Sequence, residues 1–234
     1  IGVIQPIHEI AKILRSFKKL TKLPALPSGR QANEATPYPY LHTDSCQAAS
    51  FLDLNVARLG VDLMSLNGSK IDGAKGVGCL YAKRGVTLEP IICGGGQERG
   101  LRSGTENVPA IVNFAKALTL AVKKRERESA RLTKLRDYFI KKLLAFPDTT
   151  LNGSATDRVP NNVNVSFKNT DSEYIVLSLD AKGVLASSGS ACSTQTKDSS
   201  SGVRFTLSSK TQKPDLDYVL KILPAILKRA RVEL

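Results

Sequence analysis

The sequence predicts an α/β layer followed by a smaller α+β piece, and three observations carry that prediction. Short apolar strand candidates alternate with amphipathic stretches ahead of Gly94; a long helical run between Pro109 and Pro147 follows; beyond it strands and helices recur with new spacing. The 234 residues can bury a core without disulfide staples, and a composition 41% hydrophobic and 24% charged is that of a globular chain.

Residues 6–20 read as a helix, with Pro6 suited to its first turn and Ile7, Ile10, Ala11, Leu14 and Phe17 on one face. From Thr21 to Pro39 the periodicity gives way to Pro24, Pro27, Gly29 and Pro37, a surface loop. Tyr40–Thr43 is a short strand that delivers Asp44 at its end. Residues 47–59 read as a helix, Val61–Ser65 as a buried strand and Gly76–Tyr81 as another. Gly94, Gly95 and Gly96 then lead to Gly100 and Gly104. After the long helix come a strand at Asn162–Phe167, a helix at Asp171–Asp180 and a strand at Gly183–Leu185. In residues 203–207, Val203, Phe205 and Leu207 share one face and Arg204 and Thr206 the other. The last helix sets Leu216, Val219, Leu220, Leu223, Ile226 and Leu227 at helical spacing, with Pro224 expected to kink it.

The net charge is +13 and the pI about 9.7, which bears on solubility and acidic partners rather than on fold. Ten Lys or Arg lie between Lys116 and Lys142 against Glu126, Glu128 and Asp137. A solvated helix face explains them, and a nucleic-acid site would want aromatics among the charges. Only Tyr138 and Phe139 are there, at apolar core spacing. No run of 18 apolar residues occurs, so no membrane span is expected, and the residues after Ile1 lack a secretory pattern.

Cys46, Cys79, Cys93 and Cys192 form no C-x-x-C pair, and only His8 and His42 could join them, so no zinc site is expected. Their scatter suggests a reducing compartment. Apolar neighbours predict that Cys46, Cys79 and Cys93 are buried packing residues. Cys192 instead sits in a Ser/Gly stretch, Ser187 to Thr194 with a polar run on to Gly202, where a thiolate nucleophile would stay accessible.

Two more features carry chemistry. Lys70, in Asn67-Gly68-Ser69-Lys70 behind a strand, is either a Schiff-base lysine or an exposed turn residue; the GxxxxGK[ST] phosphate loop is not matched. The stretch Gly94 to Thr105 holds backbone amides, Arg99, Arg102 and hydroxyls that suit a phosphate, although a structured loop would use the same glycines.

Together, IGVIQPI, VDLMSLNGSKIDGAKGVG, GGGQERGLRSGTEN, NVNVSF, SSGSACS and VRFTLS resemble the cysteine desulfurases of the NifS and IscS type, over nearly the whole chain. The resemblance implies a fold type I, aminotransferase-like large domain remnant at residues 1–108, a connecting helix at 109–147 and a smaller α+β domain at 148–234. It implies pyridoxal 5'-phosphate as cofactor, L-cysteine as substrate, L-alanine as product, a homodimer, an iron–sulfur scaffold or other sulfur acceptor, and a cytoplasmic setting. By the same resemblance Lys70 is the lysine that carries the cofactor, Asp44 pairs with the ring nitrogen and Gln47 lies near the phenolic oxygen. Asn67 and Ser69 border the phosphate, Thr105 reaches a phosphate across the dimer, Arg204 grips the substrate carboxylate and Cys192 accepts sulfur. A carboxylate that keeps the ring nitrogen protonated makes the ring an electron sink, and a guanidinium holds a carboxylate better than an ammonium does.

The chain departs from the family pattern in places. Ser-Gly-His-Lys reads Asn67-Gly68-Ser69-Lys70, Tyr-Gly-Pro reads Asp72-Gly73-Ala74, and the stretch from Cys192 to Arg204 is short. The family's ring-stacking histidine and main phosphate turn precede Ile1. These departures predict a truncated desulfurase, and the rival expectation is a non-catalytic remnant that keeps dimer or scaffold binding.

Overall fold

Parallel pairing of two short strands organises the first half of the chain. The computed structural model describes residues 1–21, 39–189 and 202–231. The Pro-rich stretch expected as a loop and the segment around Cys192 lie outside the described residues. Two compact units emerge, one of Pro6–Arg125 and one of Ile1–Gln5 with Glu126–Leu234.

In the Pro6–Arg125 unit, helix α1 (Ile7–Thr21) buries Ala11 but leaves Ile10 and Phe17 partly exposed. Strand β1 (His42–Asp44) runs parallel to β2 (Leu63–Asn67), with Asp44 opposite Ser65, and β3 (Gly78–Ala82) pairs antiparallel with β2. Each strand begins two residues later than its apolar run. At β2 the reason is visible: Asp62, buried, accepts the Leu41 N–H at 3.0 Å and pairs with Lys18 at 3.4 Å, so it acts as a junction ahead of the ladder. The helix expected over 47–59 is mostly turn. Asp53 Oδ1 accepts the Asn55 N–H and Asn55 Oδ1 accepts the Arg58 N–H, which delays the helix to α2 (Val56–Leu59). Ala49, Ile71 and Phe114 form a buried cluster in this unit, with Leu66, Val77 and Ala117 packed on it.

Helix α3 (Val108–Leu143) is 36 residues long. In the second unit its Phe139 and Leu143 are fully buried, and Phe139 meets Phe205 edge to face at 5.2 Å. An antiparallel sheet runs in the order β4 (Thr149–Leu151), β5 (Asn162–Phe167), β7 (Val203–Thr206), β6 (Ser187–Ser188). Helix α4 (Ser172–Asp180) is capped by Asp171, whose carboxylate accepts the Glu173 N–H at 2.8 Å. The strand expected at Gly183–Leu185 does not form. There the chain closes α4 instead, Val184 donating its N–H to Leu179 O at 2.9 Å, and β6 follows. Helix α5 (Lys213–Ala230) starts in a capping box of Gln212 and Asp215 and is one helix with Pro224 inside it.

The cysteine expectation needs correcting as well. Cys79 and Cys93 are exposed and Cys46 is half-buried. Apolar neighbours in sequence did not supply cover: β3 is exposed at every residue except Tyr81, and Cys93 lies in the glycine-rich connector. No helix among the described residues is long and apolar enough to cross a membrane.

Candidate functional site

The parallel pairing of β1 and β2 sends Asp44 and the Lys70 turn off the same end of the sheet. Asp44 is exposed at the end of β1 and accepts the Cys46 N–H at 2.9 Å. The Cys46 thiol, and after it that N–H, holds the Asp44 carboxyl below the ordinary carboxylate range. Burial, then the Asp44 carboxylate, pushes the thiol up to about 11. The positive field of Lys70 acts on that thiol in the opposite direction, which brings Lys70, Cys46 and Asp44 into one electrostatic neighbourhood. His42 Nε2 lies 2.8 Å from the Ser65 hydroxyl on the adjoining strand. Gln47 is exposed in the turn after Cys46, and Arg125 donates to Ala49 O at 3.2 Å on that turn.

Lys70 ends a short 3-10 turn (Gly68–Lys70) and is exposed, with no ion-pair partner among the described residues. Asn67 and Ser69 are turned on each other: Asn67 Oδ1 accepts both the Ser69 N–H and the Ser69 hydroxyl at 2.9 Å. Ile71, buried beside Ala49, anchors the turn in the core. Thr105 is exposed just ahead of α3. In the glycine-rich loop Arg102 donates to Ser103 O at 2.7 Å and Gln97 Oε1 accepts the Gly104 N–H at 3.0 Å, so these side chains brace the loop itself while Arg99 stays exposed.

In the second unit Arg204 lies on β7 opposite Asn164 of β5 and Ser187 of β6. Its Nε is buried with no hydrogen-bond partner among the described residues. Cys192 lies outside the described residues. Three of the ten basic residues of α3 serve as carbonyl donors rather than a charged face: Arg125 to Ala49, Arg131 to Ser208 and Thr211, and Arg136 to Arg158 and Val159. Tyr138 donates to Asp217 and lies under Lys213, so it belongs to the packing of α5.

The donor set suits pyridoxal phosphate in part. An ionised carboxylate could hold a protonated ring nitrogen and a lysine without an ion-pair partner among the described residues could take an aldehyde, whereas Asn67 and Ser69 satisfy each other. Sequence reasoning missed Cys46 as a partner of Asp44; the signal was only a thiol two residues from a carboxylate at a strand end.

A family model described as Aminotransferase class-V matches residues 33–219. The chain is 39% identical to a cysteine desulfurase IscS of Dictyoglomus turgidum, over 99% of this chain and 57% of that one. It is also 39% identical to cysteine desulfurase IscS 1 of Archaeoglobus fulgidus, over 99% and 59%. A NifS-like protein of Rickettsia africae superposes with a TM-score of 0.83 at 28% identity, covering 97% of this chain and 59% of that one. A cysteine desulfurase of Thermococcus onnurineus, at 18% identity and TM-score 0.74, shares the fold over 97% of this chain and 57% of its own. The chain spans less than two thirds of the length of these relatives.

Proposed function

Because this chain belongs to the aminotransferase class-V family and is IscS/NifS-like within it, we propose that it carries reaction machinery of a cysteine desulfurase. The reaction takes sulfur from L-cysteine, leaves L-alanine and holds the sulfur as a persulfide on Cys192 for iron–sulfur cluster assembly. The family depends on pyridoxal phosphate, which when bound supplies an electron sink for the substrate carbon.

Asp44 would hold the ring nitrogen protonated, Gln47 the phenolic oxygen, and Asn67 and Ser69 the phosphate, with Thr105 reaching the phosphate of a second copy. Lys70 Nζ would carry the cofactor and then move the proton leaving the substrate Cα. Arg204 would bind the substrate α-carboxylate, and its buried, unpartnered Nε supports an anionic guest. The Cys192 thiolate would attack the substrate sulfur. An S–S bond forms as the C–S bond breaks, the released electron pair goes to Cβ, and Cβ takes a proton, so no outside oxidant or reductant is needed. A scaffold or other acceptor protein would then receive the sulfur.

The single observation that carries this reading is that an ionised Asp44 and Lys70, which has no ion-pair partner among the described residues, leave the same end of a parallel strand pair. A second reading, a chain that binds its partner without turnover, draws on the mutual closure of Asn67 and Ser69. Absorbance with added pyridoxal phosphate, borohydride reduction and peptide mapping test both. Label on Lys70, lost in Lys70→Ala, is expected. Label on another lysine overturns the assignment, and no label with partner binding intact favours the second reading. Cys192→Ser should abolish persulfide while leaving the Lys70 label.

A further inference from the structure

The turn that carries Lys70 is held at both ends. Gly68 donates its N–H to Val77 O at 2.9 Å and Gly73 donates back to Gly68 O at 2.9 Å, so residues 68–77 form a closed loop with Lys70 inside it. Asp72, two residues on, takes φ 59, a left-handed conformation unusual for a residue with a side chain. Such a loop keeps its shape only if its surroundings restrain it.

One restraint is packing and one is polar. Gly73 lies close on α3, where an added Cβ would stand 3.1 Å from Ala117 Cβ and 3.0 Å from Gly68 O. The polar restraint is a single side chain: Ala74 donates its backbone N–H to Asn113 Oδ1 at 2.8 Å, across 39 residues of sequence. Ala74 stands where the family pattern has proline, a residue with a fixed φ and no N–H to place. The alanine leaves φ freer and presents a donor, and α3 supplies the acceptor from the residue one helical turn before Ala117.

We propose that Asn113 is a positioning residue for Lys70, its amide oxygen restraining the turn from α3 through the Ala74 N–H. The proposal rests on the reading of Lys70 as the cofactor lysine. Asn113 does not reach the reacting atoms; it fixes the backbone from which Lys70 projects. Its removal leaves the Ala74 N–H without its acceptor and lets residues 71–75 move, which reduces the fraction of Lys70 held where it can react.

The test measures pyridoxal phosphate trapped on Lys70 by borohydride, quantified by peptide mapping across cofactor concentrations, with the urea midpoint read in parallel. All 234 residues are used throughout. Asn113→Ala should raise the concentration for half-maximal Lys70 label by about fivefold, the effect of one ordinary hydrogen bond. Asn113→Asp, which keeps the acceptor oxygen, should stay within about twofold of the parent on the same reasoning. In an Ala74→Pro background, which has no N–H to accept, Asn113→Ala should change little. A purely structural role would lower the urea midpoint and leave labelling of the still-folded chain unchanged, and that result overturns the proposal. An equal loss of label in the alanine and proline backgrounds also overturns it. Label on a lysine other than Lys70 in the parent chain overturns the reading of Lys70, and the proposal with it.

Discussion

Cys46 shows how one side chain can set the state of its neighbour. Its N–H donates to Asp44, its thiol acts on the same carboxylate while donating to Ser65 O at 3.8 Å, and burial keeps the thiol protonated to about 11. Iodoacetamide at pH 8 should therefore modify the exposed Cys93 well ahead of Cys46, by roughly tenfold or more, because the thiolate is the reacting form. The unfolded thiol gives up its proton at an ordinary 9.0, so between there and about 11 the folded chain binds more protons than the unfolded one. Stability should then fall as pH rises through that window. Cys46→Ala should flatten this part of the urea midpoint against pH, and an unchanged slope would assign the proton to another group. Asp44 works in the opposite direction. Its lowered carboxyl contributes above the ordinary carboxylate range, and that contribution is lost as pH falls through the folded value.

At the scale of elements, β7 depends on a position that accepts no side chain. Gly189 donates to Gly202 O at 3.1 Å, joining the ends of β6 and β7. Behind Gly202, Asn152 donates to Asn164 Oδ1 at 2.6 Å and to Ser166 Oγ at 2.9 Å. A Cβ at Gly202 would overlap the Asn152 and Asn164 amides and reach 3.0 Å from Val165 O. Gly202→Ala should cost about 1–3 kcal/mol, the range for forcing bulk into a packed site, read as a lower urea midpoint. A neutral result would mean that the amide pair moves aside cheaply.

How well the elements could be read from sequence follows the source of their signal. Strand β5 has the bounds its apolar alternation predicts, and α5 and β7 keep their predicted faces, since Leu216, Val219, Leu223, Val203 and Phe205 are all buried. The misses arise where local hydrogen bonds, from side chains or from the backbone, capture the chain. Asp53 and Asn55 turn residues 47–55 away from helix, and the closing bonds of α4 take residues 183–185. At the candidate site, the placing of Asp44 at the end of β1 and of Lys70 in the turn after β2 was legible, because the strand ends set both positions. The Asn67–Ser69 closure and the Asn113–Ala74 bond were not, because periodicity does not say which polar groups meet, least of all across 39 residues.

At the scale of the whole molecule, the chain spans 57% of the D. turgidum relative and 59% of the A. fulgidus one, and Asn67 and Ser69, which we propose border the phosphate, satisfy each other. On that proposal, Ser69 in place of the histidine of the family pattern and Asn67 in place of its serine would remove charge-assisted contacts worth about 1.5–3 kcal/mol each. The isolated chain should therefore hold pyridoxal phosphate loosely, losing it on dialysis, and turn over L-cysteine negligibly. Alanine production at about one per second or faster would refute this.

Strand β3 carries a different consequence. Among the described residues nothing pairs with its outer edge, its sequence from Gly78 to Ala82 holds no charge, and Leu80 is 52% exposed. An uncharged, unpaired edge is a template on which another strand can add. What opposes such growth is the +13 charge, which makes copies repel one another. That repulsion acts over a screening length of about 30 Å at 0.01 M salt but only about 8 Å at 0.15 M. Sedimentation velocity should find the chain dispersed in dilute buffer and associating as salt is added, the reverse of an assembly held by ion pairs. Leu80→Lys, a charge set on the edge strand itself, should keep it dispersed at both; association that persists unchanged would place the contact elsewhere.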